Sequence, residues 1–214
     1  EISDVAKVSD ASSSDFVIDE AEEKILGLRD DVNRSDGPKV VSDLLGPVYS
    51  SIQKAQESGS SLVGISSGFT EIDELTLGFQ KQDLIVIAGR PSMGKTAFAF
   101  NIAENVARST DQTVLLFSME MSSEQVVRRL ISSISKIDLQ NLMRGKLKDE
   151  DWQGIDKALS ILSQKKILLD DTAALTPSEL RARARRVKRE SKDLCLIVVD
   201  YLQLMQVAGS RDNR

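Results

Sequence analysis

The chain has no histidine among its 214 residues and a single cysteine, Cys195. Without histidine, the Ser-His-Asp and Cys-His arrangements of nucleophilic catalysis are excluded, and so are the usual zinc ligand sets. One cysteine forms no intrachain disulfide, which fits a reducing compartment. Any chemistry on this chain must therefore use carboxylates, lysine, hydroxyl groups and backbone amides.

Long apolar runs are also missing. No segment approaches the roughly 18 consecutive apolar residues of a membrane span, and no charged and then apolar leader opens the sequence. With 41% apolar and 29% charged residues, the composition is that of a soluble globular protein. We expect a cytoplasmic protein that does not associate with membranes.

The negative charge is concentrated near the N-terminus. Residues 1–37 carry eleven acidic and four basic side chains, a net charge of −7, whereas the formal net charge of the whole chain is −5. The remaining residues therefore carry a net charge of +2. Because the acidity belongs to one segment, the overall charge does not argue against a polyanionic partner such as nucleic acid.

The sequence divides into three parts. Residues 1–37 form an acidic segment in which a helix is predicted to begin near Asp15. Residues 38–60 hold a second amphipathic helix and the polar spacer "ESGSS". The apolar stripe of that helix either packs on its own domain or docks on a neighbouring subunit, and both interpretations stay open. It consists of Val41, Leu44, Leu45, Val48 and Ile52.

Residues 61–214 alternate between strand and helix patterns. The runs "DLIVIAG", "TVLLFSM", "KILLDD" and "LCLIVVD" are short and apolar without alternation, as expected of strands buried on both faces of a parallel sheet. Helical patterns lie near residues 96–108, 123–135, 151–163 and 177–191, and Ser122 with Gln125 has the spacing of a capping box. This alternation predicts an α/β domain with a mainly parallel sheet flanked by helices.

The stretch "GRPSMGKT" fits the pattern G-x-x-x-x-G-K-[ST] and lies between a predicted strand and a predicted helix. Backbone amides of such a loop point at phosphate groups, Lys95 reaches the terminal phosphates, and the Thr96 hydroxyl ligates Mg²⁺. We therefore predict a site for the phosphates of ATP. Its residues are Gly89, Arg90, Pro91, Ser92, Met93, Gly94, Lys95, Thr96 and Ala97.

Two acidic residues follow predicted strands, where ligands of parallel sheets gather. Asp200 ends "LIVVD" and is the candidate acid for Mg²⁺, although the same five residues also describe a buried strand with a polar end. Glu120 ends "LLFSME" and is the candidate group that activates the attacking water. Its alternative role is that of a glutamate favoured by the helix macrodipole.

A cluster of six basic residues lies on the helix predicted over 177–191. A solvated helix face is one interpretation, and contact with a phosphate backbone or another subunit is the other. The cluster comprises Arg181, Arg183, Arg185, Arg186, Lys188 and Arg189.

The segments "GFTEIDELTLGFQKQDLIVIAGRPSMGKTAFAFNIA", "LLFSMEMSSEQ" and "LIVVDYLQLM" together resemble the bacterial replicative DNA helicases of the DnaB type, whose motor is a RecA-like ATPase. The resemblance runs from about residue 35 to the end. It implies a hexameric ring that encircles single-stranded DNA and moves along it by hydrolysing ATP, with primase and a helicase loader as partners. It also implies that Glu120 is the catalytic carboxylate, that Asp200 is the Walker B acid, and that the helix over residues 40–57 docks on the adjacent subunit.

This chain departs from the family pattern at both ends. The N-terminal collar is missing except for its last helix, and the sequence stops at "VAGSRDNR", before the later DNA-binding loops and the arginine finger. We therefore expect a fragment of a helicase. Another RecA-like ATPase, such as a recombinase or a clock-type phosphotransferase, and an interaction module without turnover are the alternatives.

Overall fold

The computed structural model of the chain describes residues 40–58, 62–90 and 92–205. The acidic segment 1–37 and the helix predicted to begin near Asp15 lie outside the described residues. The chain divides into two compact units, one of Glu1–Ser60 with Ser178–Arg183 and the other of Ser61–Pro177 with Ala184–Arg214. Within the described ranges, no helix has the length and apolarity needed to cross a membrane.

Helix α1 (Val41–Ser58) lies in the first unit, and it confirms the predicted amphipathic helix. Its apolar stripe is open to solvent: Leu45 is 61% exposed and Ile52 is 60% exposed. An exposed apolar face of this extent is typical of a surface that contacts another protein.

The second unit is built around a parallel sheet, and the helix Pro177–Ser191 contributes residues to both units. The remaining elements, in chain order, are α2 (Thr70–Thr76), α3 (Lys95–Ser109), β1 (Thr113–Ser118), α4 (Ser123–Ser135), α5 (Leu139–Arg144), α6 (Asp149–Ser163), β2 (Ile167–Asp170), α7 (Pro177–Ser191), β3 (Leu194–Asp200) and a short 3₁₀ turn (Leu202–Leu204). The strand order is β2-β1-β3, and both pairings are parallel. The predicted α/β class is therefore confirmed, and three of the four predicted strands form.

Burial follows position in this sheet. Every residue of the central strand β1 is buried, as predicted for a strand covered on both faces. The two outer strands are only half-buried, and Asp200 is the one fully buried residue of β3. The prediction of burial on both faces thus holds for β1 and is wrong for β2 and β3, because each of these pairs on one side only within the described residues.

The fourth predicted strand, "DLIVIAG", is wrong for the structure of this chain. Residues 83–90 have no strand pairing, and Leu84 and Val86 are 87% and 69% exposed. A strand requires a neighbour that accepts and donates backbone hydrogen bonds. Both edges of β1 are already taken by β2 and β3, and the segment pairs with neither outer strand. An apolar run alone therefore did not make a strand here.

The core lies where helices α3 and α4 cover β1. Helix α3 contributes most of the buried side chains of this core. Helix α4 begins with the predicted capping box between Ser122 and Gln125. Burying these apolar side chains is the main favourable term that fixes α3 against the sheet. The buried cluster consists of Phe100, Ile102, Ala103, Val106, Ala107, Val114, Leu116, Val126 and Leu130.

The segment before α3 is tied to that helix by polar contacts. The Asn105 side chain donates to the Ser67 carbonyl over 3.1 Å, and the Ser67 amide and hydroxyl donate to Asp73 over 2.8 and 2.7 Å. Burial acts to raise the pKa of Asp73, but the hydrogen bonds from Ser66, Ser67 and Gly68 outweigh it and lower the pKa below its usual range. Helix α3 is thus held by residues 66–73 as well as by its own apolar face.

Asp193 joins the starting ends of all three strands. Its carboxylate accepts a hydrogen bond from the Thr113 hydroxyl at 2.7 Å, and its other oxygen lies 2.6 Å from the Lys166 ammonium. Thr113 begins β1, Lys166 precedes β2, and Asp193 precedes β3. The Lys166 and Thr113 hydrogen bonds lower the pKa of Asp193 to about 2.

We predict that Asp193→Asn lowers the midpoint of thermal unfolding at neutral pH, because the ionised carboxylate is the form that binds Lys166 and Thr113. The pKa of Asp193 is about 2 in the folded chain, against an ordinary aspartate value of 3.8. A depressed folded-state pKa contributes stability above the unfolded pKa and loses it as the pH falls. The difference between wild type and variant should therefore be constant above about pH 5 and shrink between about pH 4 and 2.

The control for this measurement is Asp156→Asn, which changes an exposed carboxylate on α6. It should leave the unfolding midpoint close to that of the wild type at every pH. A wild-type midpoint for Asp193→Asn at pH 7 would show that the contacts of Asp193 do not stabilise the sheet.

Candidate nucleotide-binding site

The loop "GRPSMGKT" leads directly into α3, as predicted. Gly94 precedes the helix with φ +84°, a left-handed conformation that glycine adopts without the steric cost of a Cβ. Ser92 is also left-handed, with φ +65°, and the Met93 amide donates to the Arg90 carbonyl over 3.2 Å. Gly89, Arg90 and Ala97 are exposed, Met93 is 75% exposed, and Pro91 lies outside the described residues.

The first turn of α3 has no side-chain cap. Its leading backbone N–H groups consequently have no side-chain acceptor, and they point out of the helix at the positive end of the macrodipole. Such an end binds anions, phosphate groups above all. Lys95 and Thr96 are the first two residues of the helix, so their side chains start from this same end.

Thr96 and Asp200 meet although 104 positions separate them in sequence. The Thr96 hydroxyl donates to Asp200 Oδ1 over 3.2 Å, which connects α3 to the carboxyl end of β3. Asp200 is only 3% exposed, and its Oδ2 is buried with no hydrogen-bond partner in the described part of the chain. A buried carboxylate oxygen without a partner is costly, and in native proteins such an atom marks a position for an ion or another polar group.

The oxygen donors at this position suit Mg²⁺. Magnesium binds one or two protein oxygens and takes its remaining ligands from phosphates and water. Thr96 and Asp200 supply two such oxygens, and the described residues contain no group of three or more acidic, histidine or cysteine side chains that would form a metal site by themselves. The residues present therefore fit an ion that a nucleotide brings with it.

Lys95 lies next to the residue that follows Asp200. Its ammonium group is 4.1 Å from the centre of the Tyr201 ring, within the range of a cation–π interaction. The ammonium is thus held beside the Thr96–Asp200 pair at the end of β3. Sequence reasoning missed Tyr201; the available signal was an aromatic residue, in a chain with 4% aromatics, directly after the predicted metal-binding acid.

Glu120 lies at the same end of the sheet. Ser118, the last residue of β1, is in register with Asp200, and the amide of Met119 donates to the Asp200 carbonyl over 2.9 Å. The backbone of Glu120 therefore lies one residue beyond this contact, and the side chain is exposed. The structure brings Lys95, Thr96 and Asp200 together and places the backbone of Glu120 at their edge of the sheet.

Two of the basic residues of α7 make local contacts. Arg186 pairs with Glu190 at 3.1 Å, one helical turn away, and the Lys188 ammonium donates to the Leu194 carbonyl over 3.1 Å. These contacts favour the solvated-face interpretation of the helix. The remaining members, Arg181, Arg183, Arg185 and Arg189, likewise have interactions of their own.

A model of the DnaB-like helicase C-terminal domain matches residues 64–214. The replicative DNA helicase DnaB of Geobacillus stearothermophilus is 45% identical over 201 residues, covering 94% of this chain and 44% of that protein. The replicative DNA helicase DnaC of Bacillus subtilis (strain 168) is 45% identical over 199 residues, covering 92% of this chain and 43% of that protein. The chain therefore spans less than half the length of these curated relatives.

Solved structures agree with the sequence matches. A structure described as an ATPase domain has a TM-score of 0.75 at 32% identity, covering 83% of this chain and 62% of that one. A DnaB-like replicative helicase, described with its interactions with primase, has a TM-score of 0.71 at 27% identity, covering 97% of this chain and 56% of that one. The RecA-like fold and the resemblance drawn from the motifs are confirmed, and the chain belongs to the family of DnaB-like helicase C-terminal domains.

Proposed function

We propose that this chain is the ATP-hydrolysing motor region of a replicative DNA helicase, which unwinds duplex DNA at the replication fork by translocating on single-stranded DNA. The observation that carries the proposal is the contact between Thr96 and Asp200, with a buried Asp200 oxygen left over beside the start of α3. A phosphate site and a metal-binding carboxylate are the two parts that a P-loop ATPase requires. Family membership supplies the DNA-unwinding role.

In this mechanism, the residues of the loop and of α3 bind and orient the triphosphate. The backbone N–H groups of the loop residues other than Pro91 donate to the phosphates, and Lys95 donates to the terminal phosphate oxygens. Thr96 and Asp200 would hold Mg²⁺. When bound, the ion would stabilise the negative charge that develops on the transferred phosphoryl group.

Glu120 is the proposed catalytic carboxylate. Phosphoryl transfer to water requires a group that orients the water and accepts its proton, since the P-loop only positions the phosphates. The backbone of Glu120 lies one residue beyond Met119, whose amide donates to the Asp200 carbonyl at the carboxyl end of the sheet. An exposed carboxylate there is accessible to solvent water, as this role requires.

The domain division of the sequence fits a ring of subunits. We propose that residues 1–37 end the N-terminal region, that 38–60 form the linker with α1, and that 61–214 belong to the ATPase domain. The exposed stripe of α1 supports docking on an adjacent subunit of a hexamer. Single-stranded DNA, primase and a helicase loader are the proposed partners, and the cytoplasm is the proposed location.

The first test measures ATP hydrolysis by the full-length protein with and without single-stranded DNA. We expect single-stranded DNA to stimulate turnover, and we expect Lys95→Ala to abolish MgATP binding.

Glu120→Gln should keep the affinity for MgATP. Its turnover should fall by about 100-fold or more. The matched control is Glu124→Gln, an exposed glutamate in the first turn of α4, which should keep wild-type turnover. Wild-type turnover in Glu120→Gln would remove Glu120 from the catalytic role, and no MgATP binding by the wild type would overturn the proposed function.

The second test concerns Asp200. In Asp200→Asn, we expect the Mg²⁺ concentration for half-maximal ATP binding to rise about 10- to 100-fold, because the amide lacks the charge that the metal site needs. Binding of ATP in the presence of EDTA should change little, and calorimetry separates the two affinities. Asp193→Asn, at the opposite end of β3, is the control and should leave the Mg²⁺ dependence unaltered. Unchanged Mg²⁺ dependence in Asp200→Asn would assign the metal to other residues.

The third test concerns α1. Leu45→Glu should shift the native mass of the full-length protein from hexamer towards monomer, because a charge in a docked apolar stripe is desolvated without a partner. Ser50→Glu introduces the same charge on the opposite side of the helix, and it should leave the native mass of the hexamer unchanged. A hexamer that persists in Leu45→Glu would show that the stripe does not hold the subunits together.

A further inference from the structure

We infer that Ser118 is a positioning residue for the Glu120 carboxylate, an inference that rests on the proposed function of Glu120. Ser118 is the last residue of β1 and is 2% exposed. Its hydroxyl donates to the Met121 carbonyl over 2.8 Å. This hydrogen bond closes the turn 118–121, and Glu120 lies inside that turn.

The backbone on either side of Glu120 is held by separate hydrogen bonds. On the strand side, the Met119 amide donates to the Asp200 carbonyl over 2.9 Å, which continues the pairing of β1 with β3 by one residue. On the helix side, the carbonyl of Met121 accepts from Ser118. Both neighbours of Glu120 are therefore attached to the carboxyl end of the sheet. Met119 is held by its backbone bond to Asp200, and Met121 is held by the Ser118 hydroxyl.

Helix α4, which begins directly after the turn, is anchored at its first residues. Ser122 and Gln125 form the capping box, and the Ser123 amide donates to Asp171 Oδ2 over 2.7 Å. Asp171 directly follows β2, so this bond ties the start of α4 to the carboxyl end of β2. These bonds hold the start of α4, and the Ser118 bond holds the turn that precedes it.

The Glu120 side chain itself is not held by polar contacts. Within the described residues, neither a hydrogen bond nor an ion pair engages its carboxylate, and the side chain is exposed. Its location consequently depends on the backbone of the turn alone. Catalytic groups act within narrow limits of distance and direction, and small displacements of them cost rate rather than binding. The Ser118 hydroxyl is the side-chain group that keeps this backbone in place.

The test compares kcat and MgATP affinity in the full-length protein. We expect Ser118→Ala to lower kcat of ATP hydrolysis by about three- to tenfold, the range that the loss of one hydrogen bond gives. The dissociation constant for MgATP should stay within about twofold of the wild type, because Lys95, Thr96 and Asp200 are unaffected. In the Glu120→Gln background, Ser118→Ala should cause no further loss of kcat, since a residue that acts through Glu120 has no effect once that carboxylate is gone.

The matched control is Ser132→Ala. The Ser132 hydroxyl, on α4, donates to the Ile137 carbonyl over 2.6 Å and is partly buried, but it lies near the end of α4, away from the turn 118–121. We expect Ser132→Ala to keep wild-type kcat. Should Ser118→Ala fail to fold, Ser118→Cys, with a weaker donor, takes its place and is expected to show a smaller loss of kcat.

The outcomes distinguish a wrong role for Ser118 from a wrong proposed function. Equal kcat in the wild type and the Ser118 variant would overturn the inference, as would an equal loss in Ser132→Ala or a further loss in the Glu120→Gln background. Those results would leave the proposed function intact, because the wild type would still hydrolyse ATP. A wild type without hydrolysis would instead overturn the proposed function and the inference with it.

Discussion

The hydrogen bond between Thr96 and Asp200 is the contact on which the site depends. It joins the first turn of α3 to the carboxyl end of β3 and so sets the distance between the proposed phosphate-binding loop and the proposed metal-binding acid. A buried carboxylate is costly unless its oxygens have partners, and Thr96 satisfies only one of them. The fold tolerates this cost because α3 packs against β1 through the apolar core, which keeps both groups in place whether or not the second oxygen is satisfied.

The parallel arrangement gives the two ends of the sheet different chemistry. At the carboxyl ends, Asp200 is in register with Ser118, and the turn carrying Glu120 follows at once. At the amino ends, Asp193 binds Thr113 and Lys166 through both of its oxygens. One end thus contains a carboxylate with an unused oxygen, whereas both oxygens of the acid at the other end have partners. The satisfied acid contributes stability, and the unsatisfied one is available for a ligand.

Much of this arrangement was predictable from the sequence, because local patterns determined it. The capping box at Ser122, the start of α3 after Gly94 and the burial of β1 follow from spacing and composition. No periodicity signals the contact of Lys95 with the Tyr201 ring or the Ser118 bond to Met121. For Tyr201 the one available sign was an aromatic residue directly after Asp200, and for Ser118 there was none. The strand prediction for residues 83–90 was wrong for a different reason. Their pattern is that of a strand, but a strand forms only beside a neighbouring strand, which the local sequence does not specify.

The absence of strand pairing at residues 83–90 affects how the proposed nucleotide site is supported. Lys95 and Thr96 belong to α3 and are held by the core, whereas the residues from Gly89 to Met93 follow a segment that pairs with no described strand. Closing the loop around phosphates therefore fixes backbone conformations that the sheet does not already fix, and each residue so ordered costs about 1–2 kcal/mol of conformational free energy. Whatever covers Leu84 and Val86 would supply that order in advance and raise the affinity for the nucleotide without touching it. The affinity of the proposed site for phosphate therefore depends on what packs against residues 83–90 as well as on the loop's own residues.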